Sequence, residues 1–165
     1  MDSFFPEEYE VPSSSDFMKF EKGENNFRIM SSPVMGWEYW TKEDKPIRSK
    51  TEWKVAPADI KLDSKTGKPT AIKHFWAIVV WNYTAKAVQQ LEITQKGIMD
   101  AILALAKNPK WGNPKGYDLC VTREGDGLKT KYTVMPSPAS ELSPEMIAEF
   151  ESKAIDLNAV FEPKE

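Results

Sequence analysis

The stretch Lys73–Tyr83, KHFWAIVVWNY, limits what this chain can fold into more than any other. It is short, β-branched and aromatic, with polar ends, which is the composition of a strand. Side chains alternate along a strand. Phe75, Ala77, Val79, Trp81 and Tyr83 therefore share one face, and His74, Trp76, Ile78, Val80 and Asn82 share the other. Both faces are largely apolar and each carries a tryptophan. One face suits the core of a small β domain. The other must be covered by protein or kept for a ligand, and which of these holds decides what the chain does.

Other strands can be placed around this one. Lys19–Asn25 reads as a polar turn region, and Phe27–Ser31 as a short strand with Phe27 and Ile29 opposite Arg28. After Ser31-Ser32-Pro33 the pattern resumes over Val34–Trp40, and Gly36 with the Ser-Pro break makes the two runs one long strand, bent or bulged in its middle. Trp37 and Tyr39 share a face, with Trp40 opposite. Thr41–Ile72 has no clean periodicity; it holds prolines 46, 57 and 69, a Ser64–Gly67 turn, eight basic residues and Trp53. A loop that long in a compact domain is functional or disordered. Ala87–Thr94 alternates as a half-buried antiparallel strand and makes a hairpin with Lys73–Tyr83. A helix follows, capped by Thr94, striped by Ile98, Met99, Ile102, Leu103, Leu105 and Ala106, and stopped at Asn108-Pro109. Tyr117–Arg123 and Lys129–Met135 form a second hairpin across Glu124–Gly127. Pro136–Ser140 reads as a linker. Ser143-Pro144-Glu145 starts an acidic amphipathic helix, with Ile147, Phe150, Ala154 and Leu157 on one face, which packs on the body or meets a partner.

The 165 residues suit one domain with decorations: an acidic N-terminal arm over 1–16, a body over 17–138 and an acidic C-terminal helix and tail over 139–165. The net charge of −3 hides a segregation. Residues 1–16 hold five acids and no Lys or Arg, and residues 141–165 hold seven acids against two lysines, which leaves +7 in the middle. A basic body between acidic ends suits a polyanion. No signal peptide is expected from the acidic N-terminus, and no membrane span from a chain without an apolar run of about 18 residues. Cys120 is the single cysteine, which excludes an internal disulfide and fits a reducing cytoplasm, and with one histidine it makes a Cys/His zinc site unexpected.

The order strand, strand, strand, helix, strand, strand, with a bent first strand, is that of an OB-fold. This is a five-stranded Greek-key barrel with a helix between its third and fourth strands. Its nucleic-acid face spans strands two and three, here Lys73–Thr94, flanked by the basic Thr41–Ile72 loop and by Glu124–Lys129. The blocks FEKGENNFRIMSSPVMGWEYW, KHFWAIVVWNY, LEITQK, WGNPKGYD and TREGDGLKTKYTVMPSP, spanning about Lys19 to Pro138, resemble phage single-stranded DNA-binding proteins of the helix-destabilising type. The resemblance implies non-catalytic coating of single-stranded DNA during phage replication, recombination or repair, in the host cytoplasm, with self-association along the DNA. It also implies an acidic C-terminal region, here Glu141–Glu165, that recruits replication or recombination proteins. Some proteins of that kind carry structural zinc; the ligands are absent here, so neither metal nor cofactor is carried over.

Binding single strands regardless of sequence needs basic side chains along the phosphates and aromatic rings that stack on bases. The stacking candidates are Trp37, Tyr39, Trp53 and Trp76, chosen from a wider set that includes Trp40, Trp81 and Tyr83. Trp76 and Trp81 lie on opposite faces of one strand; Phe75, Ala77 and Val79 favour Trp81 as core and Trp76 as the platform, and Ile78 and Val80 argue for the reverse. The phosphate candidates are Arg28, Arg48, Lys50, Lys73, Arg123, Lys129 and Lys131, with Lys54 beside them. No catalytic motif is present, and His74 alone does not make a base, so no enzyme is expected. The alternatives are a protein-interaction or assembly module built on the barrel, and a binder of single-stranded RNA.

Overall fold

The computed structural model describes Phe4 and Asp16–Glu162; apart from Phe4 and Asp16, the expected acidic arm lies outside the described residues. Those residues form eight strands and two α-helices in the order β1 (Phe17–Met18), β2 (Gly23–Ile29), β3 (Val34–Trp40), β4 (Pro46–Ser49), β5 (Lys73–Asn82), β6 (Ala87–Ile93), α1 (Lys96–Lys107), β7 (Tyr117–Glu124), β8 (Lys131–Ala139) and α2 (Pro144–Lys153). The strands make one mixed sheet whose main path runs β1-β6-β5-β2-β7-β8, with β3 joined to β5 and β4 to β3.

β5 is the axis of the sheet, and protein covers both of its faces. Phe75, Ala77, Val79 and Trp81 are buried with Met30 and Val88 beneath Met146 of α2 and beneath Leu157 and Val160 of the 3-10 turn that follows it. Ile78 and Val80, on the other face, are buried with Phe27, Ile29, Leu91, Leu119 and Val121 against Ile98, Met99 and Ile102 of α1. β6 was expected to be half-buried, yet Val88, Gln89, Gln90 and Leu91 are all buried, because α2 covers one face and β1 occupies its edge.

β2 and β3 both pair antiparallel with β5, Phe27 opposite Asn82 at one end and Glu38 opposite Lys73 at the other. They follow one path along β5, broken at Ser31-Ser32-Pro33. There the Ser31 hydroxyl oxygen accepts a hydrogen bond from the Val79 amide at 2.9 Å, which satisfies a buried donor where the ladder lapses.

The expected closed five-stranded barrel is not what forms. β2 pairs with β5 and β7, β5 with β6, and β7 with β8, but the far edge of β6 carries β1 in parallel register and the sheet stays open. β8 also runs on through Ala139, where a linker was expected, with Pro136 opposite Leu119. Pro136 and Pro138 lack an amide hydrogen, which suits β8 to a sheet edge. The irregular 41–72 segment contributes β4 and two isolated bridges, Thr41 with Ile60 and Leu62 with Pro69, and buries Ile60.

Both helices stand where the sequence places them, with differences at their ends. α1 is capped by Gln95 rather than Thr94, and without a side-chain bond to the helix. The Ser143 hydroxyl of α2 accepts from the Met146 amide at 3.3 Å, but the helix buries Met146 and leaves Ile147 exposed. It ends when Ala154 turns left-handed (φ 42), so Leu157 enters the core from the next turn and not from the helix.

Candidate functional site

The register of β3 on β5 decides which side chains share a face. Met35 lies opposite Trp76 and Trp37 opposite His74, so these four lie on the face that α1 covers further along β5. At this end of the sheet the cover is incomplete. Trp37, His74 and Trp76 are half-buried and Met35 is 52% exposed. The Trp37 and His74 rings are 4.8 Å apart, tilted by 40°. His74 Nδ1 lies 2.8 Å from the Gly36 carbonyl oxygen. A carbonyl only accepts, so Nδ1 carries the proton and Nε2 points elsewhere. Lys73 is exposed and borders the cleft next to His74 and Trp76. Lys50 is exposed on the opposite face, where its ammonium sits 5.4 Å from the centre of the Phe161 ring.

Tyr39 continues the row but is buried, which removes it as a stacking platform. Its hydroxyl donates to Asp59 Oδ1 at 2.8 Å, and the half-buried Trp53 meets its ring edge-on at 4.8 Å. Burial, reinforced by the Asp59 carboxylate, pushes the Tyr39 hydroxyl up to about 12.

Two of the expected phosphate contacts are internal. Arg28 is 2% exposed; its guanidinium donates to the carbonyls of Lys115 and Ser140 at 2.8 and 2.6 Å and to the Ser140 hydroxyl at 3.0 Å, with Asp118 at 3.4 Å. Placing Arg28 opposite Phe27 was right, but that face is buried as well. Arg48 lies between Glu38 (3.2 Å) and Glu92 (2.8 Å) and over the Phe75 ring at 4.9 Å. Two carboxylates already match its charge. Trp81 is 5% exposed and belongs to the core, the assignment that Phe75, Ala77 and Val79 favoured over the reverse one, while Trp40 is exposed on the opposite face from Trp37.

Arg123, Lys129 and Lys131 form a separate group. Gly23 at the start of β2 lies opposite Arg123, so the β7–β8 hairpin is at the far end of the ladder from Trp37. Lys129 and Lys131 are exposed; Arg123 is half-buried, donates to the Phe20 carbonyl at 3.2 Å and has no partner for its Nε. The hairpin requires Gly125, which has φ 77 and where an added Cβ would come within 2.3 Å of the Lys129 carbonyl oxygen. Gly125-Asp126-Gly127 is thus a turn between strands, not an anion cradle.

Trp76 and Leu103 stand between two clefts. One, of about 260 Å³, is walled by Pro33, Met35, Ala106 and Pro114 with Lys115 at its rim. The other, of about 490 Å³, is bounded by Lys73, His74, Lys96, Met99 and Asp100. Neither Met35 nor Leu103 was picked out by sequence. Leu103 falls in the apolar stripe of α1 and reads as core, yet it is 45% exposed, at the ridge it shares with Trp76 between the two clefts. Among the described residues no group of three or more His, Cys, Asp or Glu side chains could hold a metal ion, and no helix is long and apolar enough to cross a membrane.

No family model, curated protein or solved structure matches the chain. The chemistry of the site is that of its own side chains: half-exposed rings, a thioether and an aliphatic edge, with ammonium groups at the margins.

Proposed function

We propose that this protein binds single-stranded DNA without strong sequence preference, as a non-enzymatic coat during phage DNA replication, recombination or repair. The observation that carries the reading is the row Trp37, His74 and Trp76, half-exposed side by side on the open end of the β3–β5 ladder, with exposed Lys73 and Lys96 at the cleft beside it. Rings on such a surface stack on any base, and lysines follow the phosphates without reading sequence. The ladder order supports it: β2 with β5, β5 with β6, β2 with β7 and β7 with β8, with α1 between β6 and β7, is the order of an OB-fold opened at the seam where β1 lies. The +7 charge of residues 17–140 supports it too. The exposed acidic side chains of α2, Glu145 and Glu151, are the surface we assign to replication or recombination partners.

The test is competition. A labelled dT oligomer bound to the protein is challenged with unlabelled single strands, with the same sequence as duplex, and with oligo-U. Single-stranded DNA is expected to displace it far better than duplex. Equal displacement by duplex overturns the reading, and better displacement by oligo-U turns it toward RNA. One observation favours a protein-interaction module instead: Leu128 at the tip of the β7–β8 hairpin is fully exposed, which suits an apolar contact with another protein.

A further inference from the structure

We infer that Trp76 and Leu103 form a wedge that enters between two successive bases of a single strand, one base lying in each of the clefts they separate. The inference rests on the reading above and names which residues the strand meets.

Three observations carry it. Trp76 and Leu103 line both clefts, so a chain passing over them has a slot on each side of one ridge. The smaller cleft, about 260 Å³, falls below the roughly 300–1,000 Å³ that hold drug-sized ligands, and its walls of Met35, Pro33, Ala106 and Pro114 offer a flat ring almost nothing to hydrogen-bond. Such a slot accepts a base by its face and leaves its edge unread. Charge is divided between the two sides of the sheet. Lys115 stands at one cleft, and Lys73 and Lys96 at the other, against one acid, Asp100, which Lys96 already pairs at 2.7 Å. The opposite face of β5 is closed by residues 142–162, which carry five acids and one lysine. A phosphodiester chain is drawn to the first side and repelled from the second.

The wedge gives a signature that simple coating does not. Two adjacent 2-aminopurines within a dT oligomer show exciton-coupled circular dichroism while they stack on each other. The full-length protein is expected to abolish that couplet on binding. Leu103→Glu places a carboxylate between the clefts at an exposed helical position and is expected to weaken binding by about tenfold or more with an unchanged thermal midpoint. Trp76→Leu is expected to weaken binding similarly and Trp76→Phe much less. Binding by the wild-type protein with the couplet intact, or Leu103→Glu binding as wild type does, overturns the wedge and leaves single-strand binding standing. Failure of the wild-type protein to bind the oligomer overturns both.

Discussion

Arg48 and Lys50 stand two residues apart in one basic segment, and their surroundings give them different work. Arg48 is held by Glu38 and Glu92, whose side chains are 10% and 23% exposed. Removing it leaves buried carboxylates without a partner, so Arg48→Ala is expected to cost about 3 kcal/mol in urea denaturation and to leave the salt dependence of oligo-dT binding as it was. Lys50 lies over the Phe161 ring on the closed face, and Lys50→Ala is expected to leave both stability and salt dependence nearly unchanged. Lys73→Ala, at the cleft beside His74, is expected instead to reduce the slope of log affinity against log salt by about 0.7. Nothing in the local sequence separates the two residues, because the acids that claim Arg48 come from β3 and from β6, 10 and 44 positions away. Arg28 was opaque for a similar reason: strand parity names its face, but the carbonyl that receives it comes from residue 140. Parity separated Trp81 from Trp76 but left both assignments open, since both faces of β5 are apolar and both are buried further along the strand. The tyrosines give a pH test. Tyr39 and Tyr83 are raised from 10.0 to about 12, each first by burial and then by a carboxylate, Asp59 and Asp118 respectively. The folded state keeps these protons after the unfolded chain would lose them. Their stabilisation is complete below pH 10 and is lost as pH rises through 12. An ultraviolet titration should show two of the tyrosines ionising near pH 12, and normal titration of both would contradict their placement.

Among the elements, the C-terminal segment departs most from a free acidic tail. α2 and the 3-10 turn after it close one face of β5, Lys153 donates to the Val88 carbonyl at 2.6 Å, and Phe161 packs beside Phe75 with ring centres 5.9 Å apart. A chain ending at Ser140 would uncover Phe75, Ala77, Val79, Trp81 and Val88. It is expected to lose roughly 5 kcal/mol or more and to bind a hydrophobic dye, rather than to bind DNA more tightly while folding normally. The same closure makes Gly36 sensitive, since a Cβ there would lie 2.7 Å from both the Phe161 ring and the Ser49 carbonyl oxygen. Gly36→Ala is expected to cost about 1–3 kcal/mol, read as a lowered midpoint in urea. The start of α2 was plain from Ser143-Pro144-Glu145, because capping is local. That the helix buries Met146 was not, because α2 stops after ten residues and the apolar residues beyond it belong to a turn with another geometry. β4 and β1 were likewise unreadable. Four and two residues are too short for a period, and each is defined by the strand it pairs with.

For the whole molecule, the strand that raised the question has answered it unevenly. β5 is covered on one face along its length by the C-terminal segment and on the other by α1, except at its first residues, where His74 and Trp76 reach the surface beside Trp37 and Met35. The order of the longer strands and of the first helix was legible because hydrophobic periodicity is local. Closure of the sheet was not, because it depends on which strand reaches the free edge of β6, and β1 does so across more than 70 residues. Charge follows the same division, with lysines around the open clefts and acids over the closed face. The central claim is that this open end binds single-stranded DNA through stacking and phosphate contacts. It is tested most directly by titrating the full-length protein with oligo-dT at two salt concentrations while following tryptophan fluorescence. Strong quenching, with an affinity that falls steeply as salt rises, is the predicted result; fluorescence that does not respond to oligo-dT at either salt concentration would contradict it.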